Sequence, residues 1–283
     1  MLELIECPRD AMQGIKEFIP TQKKIEYINL LIEAGFHTID FGSFVSPKAI
    51  PQMADTADVL KGLSLNDKTK LLAIIANKRG AEDAAHFEEI NYLGYPFSVS
   101  EEFQKRNTNA TLEESLTRVG EIKTIADKAN KDFVVYLSMA FGNPYGEEWN
   151  PDNVIRWAER LHREFGIETL ALSDTIGTSS RGSIDRLFNA LIPELPEVNF
   201  GAHLHTTPDT WREKVDAAYQ AGCRRFDGAL KGYGGCPMAK DDLTGNMPME
   251  KMLAYFDERK VETGVDQEKV NQALVKSGEV FPL

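Results

Sequence analysis

Cysteine is scarce in this chain: Cys7, Cys223 and Cys236 are the only three among 283 residues. An odd and sparse set is unlike a disulfide framework, and a reducing compartment would leave all of them as thiols, so one of them can serve as a reagent. Positive charge is also in short supply. The formal net charge is -12, and no cluster of basic residues is interleaved with aromatics, which argues against a broad phosphate-binding face and against nucleic acid as a partner. No apolar run is long enough to span a bilayer, so no membrane association is expected. The first strand-like run, LELIEC, begins directly after Met1 with no stretch for a secretory or transit leader, which makes the cytoplasm the expected location. No GxGxxG follows that run, which counts against an open, doubly wound sheet.

What the chain does have is alternation. With 42% hydrophobic and 27% charged residues it can bury a sizeable core, and no composition break or low-complexity linker divides it. Eight strand-like runs alternate with helix-like ones: LELIEC, TIDFGSF, KLLAIIAN, INYLGYPF, DFVVYLSMAF, TLALSDT, NFGAHLHT and RRFDGAL. Several are apolar on both faces, as parallel strands covered on both sides require. Between them lie amphipathic segments such as PTQKKIEYINLLIEAG, where Ile25, Ile28, Leu31 and Ile32 recur at helical spacing and Gly35 supplies a stop. Eight such pairs in about 250 residues predict an α/β fold, a (β/α)8 TIM barrel, as a single catalytic domain over residues 1–283. Roughly the last 25 residues are expected to form a C-terminal helical extension.

A barrel of this type builds its active site at the carboxyl ends of its strands, and polar residues gather there. The first strand runs into ECPRDAMQ with Arg9 and Asp10, the second carries Asp40, the sixth ends in SDTIG with Asp174, and the seventh holds HLH. Alternation along a strand points His203 and His205 the same way, a spacing suited to neighbouring ligands on one ion. Taken singly, each is bland. An Arg-Asp dipeptide is more often a surface ion pair, HxH arises by chance, and a free cysteine is usually buried and inert. The constellation carries the case, together with GYGGCPMAKDDLTGN, which sets Cys236 among glycines at a strand end and brings Asn246 close behind it. Glycines at 232, 234, 235 and 245 would let that loop close over a substrate. Asp10, His203, His205 and Asn246 offer two oxygens and two imidazole nitrogens with no thiolate, a set that suits Mg or Mn, with Zn as the minority choice. Cys7 and Cys223 lack such surroundings and are expected to be structural.

The segments CPRDAMQ, SFVSPKAIPQM, SDTIG, HLH and GGCPMA followed by GN resemble hydroxymethylglutaryl-CoA lyase, within a wider group of metal-dependent barrels that make or break carbon bonds beside a carbonyl. The resemblance runs from Glu6 to the helix containing Met249, and SFVSPK and GGCP are its specific pieces. It implies cleavage of 3-hydroxy-3-methylglutaryl-CoA, or a close analogue, to acetyl-CoA and acetoacetate. By position, it implies that Asp10, His203, His205 and Asn246 bind the cation, that Arg9 meets the thioester carbonyl, and that Cys236 is a catalytic thiol. Either His203 or Asp40 is the base. Gln13, Lys16, Ser43 and Asp174 fall near the substrate or the cation, the partner is an acyl-CoA, and barrels of this group often pair as dimers.

Several positions depart from the family pattern. The chain reads RDAMQ in place of RDGLQ, has Asp40 where a glutamate is usual, continues TTPDTW after His205 in place of an Asp-Thr pair, and carries Asn143 where cysteine is common. Two alternatives stand beside cleavage. One is the condensing direction of the isopropylmalate or citramalate synthases, which share Arg-Asp and HxH but generally lack the cysteine loop. The other is a barrel that binds a metabolite without catalysis.

Overall fold

The strand-like runs identified above become strands because each is covered on both sides, by helices without and by packed side chains within. A computed structural model of the chain describes residues 1–235 and 244–281. Its strands are β1 (Glu3–Glu6), β2 (Thr38–Ser43), β3 (Lys70–Ile74), β4 (Tyr92–Ser98), β5 (Asp132–Ser138), β6 (Thr169–Asp174), β7 (Asn199–Thr206) and β8 (Arg225–Gly228). Each pairs in parallel with the next, and β8 pairs back onto β1, with Glu3 opposite Arg225 and Glu6 opposite Gly228. The sheet therefore closes into the expected (β/α)8 barrel.

Helices α2 (Thr21–Ala34), α3 (Thr56–Lys61), α4 (Lys78–Ala85), α6 (Leu112–Lys128), α7 (Pro151–Phe165), α8 (Arg181–Glu194), α9 (Trp211–Gln220) and α10 (Met249–Glu258) connect or follow the strands. The period of two along each strand divides its side chains. On β3, Leu71 and Ala73 face out into the main core beneath the helices, while Leu72 and Ile74 join Val134, Tyr136 and Ala171 in a separate small cluster inside the barrel. Few of the inward positions are apolar beyond that cluster, which leaves the carboxyl end of the lumen to polar groups.

Three elements are not legible in the sequence pattern. A short helix α1 (Pro8–Gln13) follows β1 at once, with Pro8 at its first turn, where a missing N–H costs nothing, and Asp10 favourably placed at the positive end. Helix α5 (Glu101–Thr108) is inserted after β4, capped by Ser100. A two-residue strand β9 (Gly245–Asn246) pairs antiparallel with β7. The final helix α11 (Gln267–Val280) lies against α2, and the Phe281 ring behind it stacks on Tyr233 at 4.4 Å. No helix among the described residues is long and apolar enough to cross a membrane.

The stop read at Gly35 is a left-handed cap, φ 80°, whose N–H donates to the Ile32 carbonyl. A side chain there would meet only the Gly264 carbonyl, at 3.5 Å, so its cost is conformational. Gly35→Ala is expected to lower stability by about 1–2 kcal/mol with an unchanged fold, read as a shifted midpoint at constant slope in urea unfolding.

Candidate active site

Because α1 starts immediately at the end of β1, Arg9 and Asp10 are delivered over the barrel mouth as a rigid pair, both buried. The Arg9 guanidinium is almost fully engaged. Its Nε donates to the two oxygens of Asp40 at 3.1 and 3.0 Å, Nη2 donates to Asp40 Oδ2, and Nη1 donates to Asp10 Oδ1 at 2.9 Å and to Gln13 Oε1 at 3.0 Å. Of the five N–H groups of an arginine, one on Nη2 stays uncommitted among the described residues. Gln13 Nε2 also donates to Asp10 Oδ1, at 2.8 Å. Burial pushes the Asp40 carboxyl up, to about 6, against the pull of Arg9. Burial raises Asp10 too, but the Arg9 charge, the two imidazoles and a hydrogen bond from Asn246 outweigh it and hold this carboxyl at about 2.

The two imidazoles enter from β7 on one face, ring centroids 5.5 Å apart. Each is fixed from behind through Nδ1. His205 Nδ1 faces the Thr175 carbonyl at 3.0 Å, and His203 Nδ1 faces Asp227 Oδ2 at 3.2 Å. Both partners can only accept, so each Nδ1 carries a proton. Burial lowers the His203 pKa, but the hydrogen bond and charge of Asp227 outweigh burial and raise it, so a cation at His203 Nε2 would take the place of a proton there. His205 Nε2 is buried with no hydrogen-bond partner among the described residues. Burial and the adjacent His203 lower the His205 pKa, which favours the neutral ring that can ligate. Ligand atoms of Asp10, His203 and His205 lie within 4.8 Å of one another.

Asn246 joins this group through strand pairing. The β7–β9 register sets it opposite His205, and its Nδ2 donates to Asp10 Oδ2 at 2.6 Å and to the Tyr233 carbonyl at 2.8 Å. Its amide oxygen takes no hydrogen bond from the described residues. Gly234 permits the approach: a Cβ there would lie 2.8 Å from Asp10 O, Ala11 Cα and Asn246 Nδ2, and its φ of 86° suits glycine. The loop glycines thus serve close packing around the ligands. An orphaned buried imidazole nitrogen, a second imidazole and a carboxylate oriented from behind, and an adjacent amide oxygen fit a divalent cation.

Not every sequence-derived site residue reaches this place. A cavity of about 380 Å³ opens above the ligand group, and Arg9, Asp10, Gln13, His203 and His205 line it. Asp174 does not. On β6, Ala171 packs in the lumen and Ser173 lines the cavity, so strand alternation turns Asp174 outward, where it accepts from Lys214 Nζ at 2.9 Å and from the Thr178 and Ser179 N–H groups. Ser43 is spent on the turn after β2, its hydroxyl accepting from Val45 N–H at 3.2 Å, and Val45 is the residue that lines the cavity. Lys16 is exposed on the loop after α1. Asp40 is sealed behind Arg9, so of the two bases considered only His203 stands at the cavity wall. Cys236 lies outside the described residues. Cys7 and Cys223 are buried as expected, and burial pushes the Cys223 thiol up to about 12.

Missed in the sequence were Thr175 and Asp227, which hold the imidazoles, and Tyr136, whose ring packs edge-on against His203 at 5.4 Å. A signal for Asp227 was present. Arg225 and Asp227 alternate on one face of an otherwise apolar strand, which puts two charges inside a barrel.

The chain is similar to known proteins along nearly the whole of its own length. The sequence is 35% identical over 266 residues to hydroxymethylglutaryl-CoA lyase YngG of Bacillus subtilis (strain 168), covering 94% of this chain and 88% of the relative. It is 35% identical to the cytoplasmic 3-hydroxy-3-methylglutaryl-CoA lyase of Danio rerio, over 94% of this chain and 78% of that one. Among solved structures, the Bacillus subtilis HMG-CoA lyase superposes with a TM-score of 0.92 at 34% identity, covering 98% and 93% of the two chains. The HMG-CoA lyase of Acinetobacter baumannii, in complex with coenzyme A and 3-methylmalate, superposes with a TM-score of 0.91 at 30% identity, covering 99% and 91%. With its sequence matching the HMGL-like profile over residues 4–275, the chain belongs to the HMGL-like family.

Proposed function

We propose that the protein is a cation-dependent carbon-carbon lyase that cleaves 3-hydroxy-3-methylglutaryl-CoA to acetyl-CoA and acetoacetate. The observation that carries this is the group of Asp10, His203 and His205, with an orphaned buried Nε2, beside Arg9 at one end of a cavity, in a chain whose full-length relatives are HMG-CoA lyases by name. Neither the condensing direction nor a silent barrel is favoured, since the relatives at 34–35% identity over 94% or more of this chain are HMG-CoA lyases by name.

Asp10, His203, His205 and the Asn246 amide oxygen would hold the cation, and this set of two oxygens and two imidazole nitrogens without thiolate suits Mg or Mn over Zn. A cation held there supplies Lewis acidity that lowers the pKa of the substrate's tertiary hydroxyl. The remaining chemistry falls to the chain. The tertiary hydroxyl gives its proton to a water in the cavity, because His203 would be engaged at Nδ1 by Asp227 and at Nε2 by the cation. The carbon-carbon bond then breaks with its electron pair passing onto the thioester oxygen as the acetyl-CoA fragment departs as an enolate, and the uncommitted Nη2 N–H of the permanently charged Arg9 is the donor for that oxygen. Asp40, with both oxygens on the guanidinium, keeps that donor aimed. Gln13 braces Arg9 and Asp10 together. Cys236, on the pattern of its sequence, is the acid that protonates the enolate carbon.

Incubation of the purified protein with 3-hydroxy-3-methylglutaryl-CoA and Mg or Mn should release acetoacetate, and chelation should abolish it. No acetoacetate with metal present, alongside turnover of another acyl-CoA or condensation of a 2-oxo acid with acetyl-CoA, would overturn the assignment. Arg9→Met should lower kcat by about 10²–10³-fold, as removal of an oxyanion donor does. Cys236→Ala should lose most of its turnover; full activity in that variant removes the thiol from the mechanism.

A further inference from the structure

The register between β7 and β8 sets Gly201 opposite Arg225 and His203 opposite Asp227. All four positions face the lumen, because the period of two that turns His203 inward also turns Gly201 inward, and likewise Arg225 with Asp227. The contacts follow this pairing. Arg225 Nη1 donates to Asp227 Oδ1 at 2.7 Å, and the other oxygen of the same carboxylate faces His203 Nδ1 at 3.2 Å. The Asp227 side chain is wholly buried and that of Arg225 is 4% exposed. Gly201 is what lets the arginine lie there. A Cβ at that position would stand 2.7 Å from Arg225 Nη1, 3.1 Å from Cδ and 3.3 Å from Cγ.

We propose that Asp227, held by Arg225 in the space left by Gly201, is a positioning residue that locks His203 as a cation ligand. The inference rests on Asp10, His203 and His205 being the ligand group. A carboxylate only accepts, so it fixes the proton of His203 on Nδ1 and turns Nε2 toward Asp10 and His205. A buried carboxylate without a cation beside it would be severely penalised, and Arg225 provides that cation while leaving one oxygen for the imidazole. The two histidines are therefore supported differently. His205 leans on a backbone carbonyl, which no substitution alters, whereas His203 depends on a side chain and on the two residues that place it.

The test is Mn binding measured by calorimetry on the full chain, with Mn-dependent turnover alongside. Wild-type protein is expected to bind one Mn. Asp227→Asn is expected to bind it about 10–100-fold more weakly, the usual cost of losing a partner behind a ligating histidine. Its turnover should fall at limiting Mn and recover toward wild type at saturating Mn, a split that a general loss of packing would not produce. Gly201→Ala, whose nearest contacts would all be with the Arg225 side chain, should weaken Mn in the same direction by a smaller factor; it carries the test if Asp227→Asn does not fold. Unchanged Mn affinity in both variants, or a turnover defect that excess Mn leaves in place, overturns the positioning role. Wild-type protein that binds no Mn, Mg or Zn overturns the ligand group itself.

Discussion

The register of β7 is the constraint on which the whole mouth of the barrel depends. This strand pairs with three others, and each pairing places a different part of the site. Against β6 it sets Ser173 beside His203, against β8 it sets Asp227 there, and against β9 it sets Asn246 beside His205. A slip of one residue would turn both imidazoles out beneath the helices and bring Ala202 and Leu204 into the lumen. The apolar demand of the outer core forbids that slip, so packing far from the chemistry holds the ligands in place.

Charge is the second organising term. Two buried guanidiniums, Arg9 and Arg225, face three buried carboxylates, Asp10, Asp40 and Asp227. Arg9 is shared between Asp40 and Asp10, Arg225 and Asp227 pair at 2.7 Å, and two imidazoles stand beside Asp10, so the carboxylates outnumber the guanidiniums by one. One surplus negative charge in a low-dielectric lumen is costly by itself and is offset by a cation at that point. The electrostatics and the ligand geometry thus ask for the same thing. Lys214 and Asp174 form a further buried pair outside the lumen, which fastens the turn after β6 and, through the His205 carbonyl, the end of β7.

Much of this was legible in the sequence, and the failures have physical causes. Eight strands could be read because parallel strands covered on both sides are apolar runs, and HLH could be read because alternation is strict. The same rule, applied to TLALSD, would have turned Asp174 outward, since Ser173 and not its neighbour shares the inward face with Ala171. Short elements were out of reach: α1 is fixed by Pro8 and by the charges it presents, and β9 forms only because β7 offers it an edge. Arg225 and Asp227 were visible as charges on an alternating strand but read as strand alone. Their meaning depends on Gly201, a contact that no local pattern carries.

The glycines around Gly234 have a consequence for chain length. A side chain at Gly235 would stand 2.8 Å from the Thr244 carbonyl, so the chain departs at 235 and returns at 244 with the two ends touching. That junction is pinned by β9 on one side and by the carbonyl of Tyr233 on the other. Closing a loop between fixed neighbouring ends costs little more when the loop grows, about 0.6 kcal/mol for each doubling of its length. Added length between positions 235 and 244 is therefore expected to leave the ligand group standing, so long as Cys236 keeps its place directly behind Gly235.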